Sequence, residues 1–347
     1  MLFRSASRRA RTVPGLIVFA ILMASLVWLW VPIAIAVDLV RGRWRLPIVR
    51  LLAFGLCWSW IESIGVLAAG LFRLVGQRRN VPLHTRLQTW WANALMRSLG
   101  ATTGMRVAHA DFELFHPGPT VLLCRHASLA DSLVSAWVTT TLAHLEPRYV
   151  LKKELEWDPC LDIVGHRLNN HFLDREATDA ADELTSLRAL SAGMGEGHVA
   201  VIFPEGTRSS PKKRARALEK IAERDPERAE RLKGLQHLIP PRPAGSLALI
   251  EGCPEADIVV AWHVGFDGVN DFGGILRHLK RTPTPIQCHA RRIARADVPS
   301  APERPTPTCA RVPSARHRVA TATADTRRAP SGCRRPTVLV LPLPPRV

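Results

Sequence analysis

Apolar residues follow two regimes along this chain. Val13 to Val37 runs for twenty-five residues without a charge, and Leu51 to Leu71 runs for twenty-one with only Glu62. A helix needs roughly twenty apolar residues to span a bilayer, so both runs predict membrane-embedded helices. Arg4, Arg8, Arg9 and Arg11 precede the first run, and Ala34-Ile35-Ala36 mimics a signal cleavage site. The run nevertheless exceeds the usual apolar core of about 7–15 residues in a secretory signal, so it is read as a retained anchor.

Beyond residue 80 the apolar runs shorten and alternate with polar stretches. A helix is expected from about Thr85 to Leu99, leading to Thr103–Val107. Strands follow near Thr120–Cys124, Arg148–Leu151, Asn170–Leu173, His198–Phe203 and Asp257–Val264, with helices after the first and over Ala177–Met194. This order predicts an α/β fold: a mixed sheet flanked by helices, carrying an N-terminal membrane-embedded two-helix anchor. Residues 1–80 are assigned to the anchor, 81–297 to a catalytic domain and 298–347 to a tail. No internal repeat is visible.

Charge refines the picture of the anchor. Basic residues flank both apolar runs (Arg41, Arg43, Arg45 and Arg50 between them, Arg73, Arg78, Arg79 and Arg86 after), so the positive-inside rule gives no clean two-span topology. A helical hairpin dipping into one leaflet satisfies all the clusters. Seven of the ten tryptophans lie between Trp28 and Trp91, as interfacial anchoring requires. Glu62 would cost about 2.5–3.5 kcal/mol at a bilayer centre, which also favours a shallow or paired arrangement. The formal charge of +17 invites a nucleic-acid partner, but no zinc-finger, RNP or phosphate-loop pattern is present and the aromatics do not sit among the basic residues. Anionic membrane lipids are the simpler partner, and no nucleic acid is expected.

Two blocks carry chemistry. His126 and Asp131 lie in Leu122-Leu123-Cys124-Arg125-His126-Ala127-Ser128-Leu129-Ala130-Asp131, and Phe203-Pro204-Glu205-Gly206-Thr207-Arg208 follows about eighty residues later. A hydroxyl attacks a thioester weakly unless a base takes its proton, which a neutral imidazole can do near neutral pH. A carboxylate on the other ring nitrogen fixes the tautomer and steadies the developing imidazolium. Five steps of one helix would put His126 and Asp131 about 140° apart, so they cannot both be mid-helix. The residues supply an alternative: His126 in a strand-to-helix turn, with Ser128-Leu129-Ala130-Asp131 as a capping box opening a helix to about Leu142. Capping alone produces the same pattern, and paired charges on a proline-glycine turn are common on surfaces. Coincidence of the two blocks in this order favours the chemical reading.

These blocks resemble those of the glycerophospholipid acyltransferases, the 1-acyl-glycerol-3-phosphate (lysophosphatidic acid) acyltransferase family. The likeness extends to Phe172-Leu173-Asp174-Arg175 and to a late block, Leu238-Ile239-Pro240-Pro241. It implies that His126 is the base and Asp131 its partner. It also implies that Arg175, Glu205, Gly206, Thr207 and Arg208 help to hold a glycerol phosphate, with Lys152 a further phosphate candidate from Lys152-Lys153. Guanidinium groups suit a phosphate monoester, although a surface ion pair competes as the role of Arg175. Many members have an aromatic residue where Leu129 stands and an asparagine where Arg125 stands. Ser209 to Gly234 reads as an exposed charged helix or hairpin, like the insertion found in one branch of the family.

The resemblance implies a membrane-bound acyltransferase. It would move a fatty acyl group from acyl-CoA or acyl carrier protein to a lysophospholipid, lysophosphatidic acid first, without a cofactor or metal, at the cytoplasmic face of the inner membrane. Glycerol-3-phosphate, another lysophospholipid or a glycolipid are the alternative acceptors, and a basic membrane-binding protein with a dead site is the alternative of another class. The seven cysteines lack paired spacing and read as reduced thiols, neither disulfides nor a metal set. Val298 to Val347 holds ten prolines and nine arginines against Glu303 and Asp325, a composition that cannot build a core. The resemblance stops near Asp297, so the tail is read as a frameshifted or divergent end.

Overall fold

The computed structural model describes residues 2–174, 180–266 and 268–298. The tail from residue 299 onward therefore lies outside the described residues, as does Arg175.

The N-terminal segment holds three helices where two were expected. The first apolar run is divided between α1 (Leu2–Ser25) and α2 (Val27–Val40), which bend by 71° about Leu26. The second run forms α3 (Pro47–Leu74), the one described helix long and apolar enough to cross a membrane unaided. Leu46, in the left-handed region at φ 49°, opens α3 without a side-chain cap of its own. The buried Asp38 of α2 takes that part, its carboxylate accepting from Ile48 N at 2.8 Å in the first turn. Capping across a bend holds the two helices in a fixed relation.

Residues 2–80 do not stand apart from the rest, because the chain clusters as one compact unit through its described C-terminal end. Helix α3 packs along α4 (Val81–Thr103), and Glu62 is fully buried there, accepting from Trp91 Nε1 at 2.8 Å. Trp91 thus supplies a donor for one carboxylate oxygen inside the protein. Arg8 and Arg9 of α1 both reach the buried carboxylate of Asp162, at 2.9 Å, which fastens the first helix to the following domain.

The remaining elements are β1 (Val107–Ala110), β2 (Thr120–Cys124), α5 (Asp131–Trp137), β3 (Glu146–Lys152), α6 (Pro159–Gly165), β4 (His171–Leu173), α7 (Ala180–Ser191), β5 (His198–Ile202), α8 (Pro211–Ala222), α9 (Pro226–Leu232), α10 (Pro243–Gly252), β6 (Asp257–Val264), α11 (Phe272–Leu279) and β7 (Ile286–Ile293). The seven strands order as β1-β7-β6-β2-β5-β3-β4, parallel except for the antiparallel β6–β7 pair. This is the expected α/β mixed sheet flanked by helices. Strand β2 is central, with apolar residues on both faces: Leu122 packs into one core layer with Val134 and Tyr149, and Val121 into the other with Leu187 and Leu249. Burial on both faces explains its unbroken apolar run.

Three details depart from the expected elements. Strand β7 is rich in basic residues and reads as no apolar strand, yet it closes the antiparallel edge of β6. Helix α5 begins at Asp131 and ends at Trp137, and Val138–Leu142 continue as a π-helical turn. The capping box does not form as written, because Ser128 Oγ donates to the Asp131 carboxylate and does not cap a helix from position 128.

Candidate active site

The ends of β2, β5 and β6 meet on one edge of the sheet, where open α/β sheets place their ligands. His126 leaves β2 and points its ring at the first turn of α5. His126 Nδ1 lies 3.0 Å from Asp131 Oδ2, the approach the turn geometry predicted.

Asp131 is 3% exposed and accepts from five donors. Oδ2 takes His126 Nδ1–H together with the main-chain N–H groups of Ala127 (2.6 Å) and Ser128 (2.8 Å). Oδ1 takes Ser128 Oγ–H and His263 Nε2–H, the latter at 2.8 Å. Burial by itself would raise the Asp131 carboxyl. The donors from His126, His263 and Ser128 outweigh it and hold the group far below the usual carboxylate range. A permanently ionised acceptor forces Nδ1 of His126 to carry the hydrogen, which leaves Nε2 unprotonated in the neutral ring.

His263 was not among the candidate residues. It lies in β6, 132 residues from Asp131, and is buried with its ring edge-on to Phe266 at 5.1 Å. Its Nδ1 is buried without a hydrogen-bond partner. A neutral ring donating from Nε2 is the form that fits, since a second N–H would be buried unsatisfied. A histidine among Val259, Val260 and Val264 carries no signal by itself. Only its register beside β2, through Cys124 opposite Ala261, brings it to Asp131.

The third block folds back onto the first. Glu205 is 5% exposed, and each carboxylate oxygen accepts one main-chain N–H: His126 N at 2.7 Å and Ile239 N at 3.0 Å. Burial pushes its carboxyl up to about 7, against those two N–H donors. Glu205 thus joins three of the four sequence blocks from behind the site and does not itself line the cavity, unlike the phosphate-holding part that the resemblance implied. Gly206 turns the chain at φ 68°, a conformation costly for any side-chain-bearing residue. A second tie, Ser209 N to His126 O at 2.7 Å, closes the turn onto the histidine.

A cavity of about 730 Å³ opens in front of this constellation. His126, Gly206, Thr207, Arg208 and Lys152 all line it, so those candidates share one cleft. Thr207 Oγ1 accepts from Lys213 Nζ at 3.0 Å, which latches the charged α8 to the third block. Lys153, the neighbour of Lys152, pairs with Asp174. Arg242, just after the late proline block, is a further cation on the wall that the sequence reading did not single out. The opposite chemistry comes from α4, α6 and the turn after α6, where Leu87, Trp91, Leu161, Val164 and Leu168 make an apolar lining.

Residues 106–223 match the protein-family model described as Acyltransferase. Over that span, about a third of its length, the chain is similar to this family. The matched span runs from the edge of β1 through β5 and α8, and so includes both His126–Asp131 and the turn at residues 203–208. The crystal structure of the 1-acyl-sn-glycerophosphate (LPA) acyltransferase PlsC from Thermotoga maritima is similar at 16% identity, covering 74% of this chain and 90% of that one with a TM-score of 0.45. No curated protein sequence matches. Cys124, close in sequence to His126, is buried and burial drives its thiol well upward, so a thiolate nucleophile is disfavoured there. Arg125 points away from the cavity, donating to the carbonyls of His263 (3.1 Å) and His237 (3.3 Å).

Proposed function

We propose that the protein moves a fatty acyl group from a thioester donor, acyl-CoA or acyl carrier protein, to the free hydroxyl of lysophosphatidic acid. The observation that carries this reading is the His126–Asp131 pair opening onto a cavity that combines cations (Lys152, Arg208, Arg242) with an apolar wall. A lysophospholipid and an acyl chain together need both kinds of surface.

In this mechanism the acceptor oxygen attacks the thioester carbonyl while its proton passes to Nε2 of His126. The C–S bond breaks as the tetrahedral intermediate collapses, and the thiolate recovers that proton from the imidazolium. The products are an ester and a free thiol, with no acyl-enzyme. Asp131 stabilises the imidazolium through Nδ1, and His263 and Ser128 hold Asp131 ionised and immobile. Arg208 and Lys152 meet the phosphate of the acceptor, and the same part is proposed for Arg175.

Attachment to the cytoplasmic face of an anionic inner membrane is part of the proposal. Trp28, Val40, Trp44 and Leu74, on α2, α3 and the turn between them, are between 71% and 88% exposed, an apolar surface suited to lipid. The test is thiol release from acyl-CoA and from acyl carrier protein with lysophosphatidate as acceptor. His126→Ala and Asp131→Asn should each lose at least 100-fold. Wild-type rates in both variants would remove the dyad from the chemistry, and absence of thiol release with every lysolipid would favour a non-catalytic membrane-binding protein.

A further inference from the structure

His109 and Asp111 at the end of β1 meet His289 of β7. None of the three lines the 730 Å³ cavity. His109 Nε2 lies 2.5 Å from Asp111 Oδ1, His289 Nδ1 lies 3.5 Å from Asp111 Oδ2, and one donor atom from each residue falls within 4.8 Å of the others. The backbone builds this arrangement. Asp111 N donates to Cys288 O at 3.2 Å, and Ala290 N donates to Asp111 Oδ2 at 3.1 Å, so the carboxylate is aimed before any ligand arrives. The His289 ring is steadied by Trp262, with centroids 5.8 Å apart.

The spacing leaves something undone. At 3.5 Å the His289 nitrogen is too far from the carboxylate for a good hydrogen bond, and the two imidazoles crowd one carboxylate at a centroid distance of 5.6 Å. Two neutral imidazoles and one carboxylate form an N₂O donor set. A tetrahedral ion with bonds of about 2.0–2.1 Å holds its ligand atoms about 3.3 Å apart, between the 2.5 Å from His109 to the carboxylate and the 3.5 Å from His289, so His109 would draw back from its hydrogen bond to admit the ion.

We propose that His109, Asp111 and His289 bind a divalent transition-metal ion of the zinc class. The donor types select it over magnesium or calcium, which prefer all-oxygen shells. Its effect is structural: it cross-links the edge strand β1 to β7, segments 179 residues apart along the chain. Partial exposure of all three residues leaves an entry path and room for water to complete the coordination.

The test uses the full untagged chain in detergent, its thiols kept reduced, with zinc ion titrated against a chromophoric chelator. The wild type should bind one more equivalent than Asp111→Asn, and His109→Ala and His289→Ala should each weaken that equivalent at least tenfold. Zinc should also raise the melting temperature of the wild type and not that of His109→Ala. His109 is exposed at a sheet edge, so its variant should melt like the metal-free wild type, which separates lost binding from lost folding. Equal zinc binding by the wild type and any one of the three variants overturns the site, as does failure of the wild type to bind that equivalent.

Discussion

His263→Ala tests whether the second histidine on Asp131 matters to catalysis. The substitution removes one of five donors from a carboxylate that is 3% exposed. A hydrogen bond to a charged group contributes about 1.5–3 kcal/mol, and four donors remain, so Asp131 should stay ionised while losing its anchor on the Oδ1 side. If about half of that energy acts on the placement of Asp131 against His126, the barrier rises by roughly 0.75–1.5 kcal/mol, or about four- to thirteenfold in kcat/KM. His126→Ala should cost far more, because it removes the imidazole proposed as the base. His263→Gln offers an amide N–H toward the same oxygen and should recover most of the lost rate. The assay is thiol release from acyl-CoA with lysophosphatidate, read as kcat and KM separately, with the loss expected in kcat. Unchanged kcat in His263→Ala, or a glutamine variant no better than alanine, would refute the positioning role.

Three further outcomes follow from the same contacts. Glu205→Gln should lose about 1–3 kcal/mol of stability, because an amide N–H must face the main-chain N–H of either His126 or Ile239. Its pH signature has a definite sign: from an ordinary value of 4.5 the group rises to about 7 in the folded chain, so its stabilising effect is full below pH 4.5 and falls as pH rises toward 7. The unfolding gap between wild type and Glu205→Gln should therefore narrow over that window by up to roughly 3 kcal/mol, and a pH-independent gap would count against it. Gly206→Ala places a Cβ at φ 68° and should cost about 1–2 kcal/mol by thermal unfolding, with a fall in activity as the turn shifts under Thr207 and Arg208. Asp162→Ala should free the first helix by removing the acceptor of Arg8 and Arg9, seen as faster proteolysis near residue 26 at a cost of about 1–3 kcal/mol.

Much of the site was legible because its parts are local. A strand, a turn and a helix start within ten residues are enough to bring His126 to Asp131, and Phe203 to Arg208 declares its turn through proline and glycine. The period of the apolar residues likewise announces β2, β5 and β6, each of which buries apolar side chains. Strand β7 escaped notice because its alternate residues are basic, and the break at Leu26 because both flanking helices are apolar and no proline or glycine marks the bend. Glu205 illustrates a subtler limit. A charged residue on a turn looks like a ligand for substrate, whereas here both its oxygens serve main-chain donors 79 and 34 residues away.

The amino-acid order alone therefore determined the approach of His126 to Asp131, the turn at residues 203–208, the apolar N-terminal runs and the class of sheet, since these depend on residue type and on spacings shorter than a single element. The tertiary structure decided that His263 shares Asp131, that Glu205 fastens three blocks together, and that Glu62 is buried against Trp91. It likewise brought His109, Asp111 and His289 within reach of one ion. Each of those contacts joins segments far apart in the chain, and strand register and helix packing set their distances, quantities that no local pattern of side chains encodes.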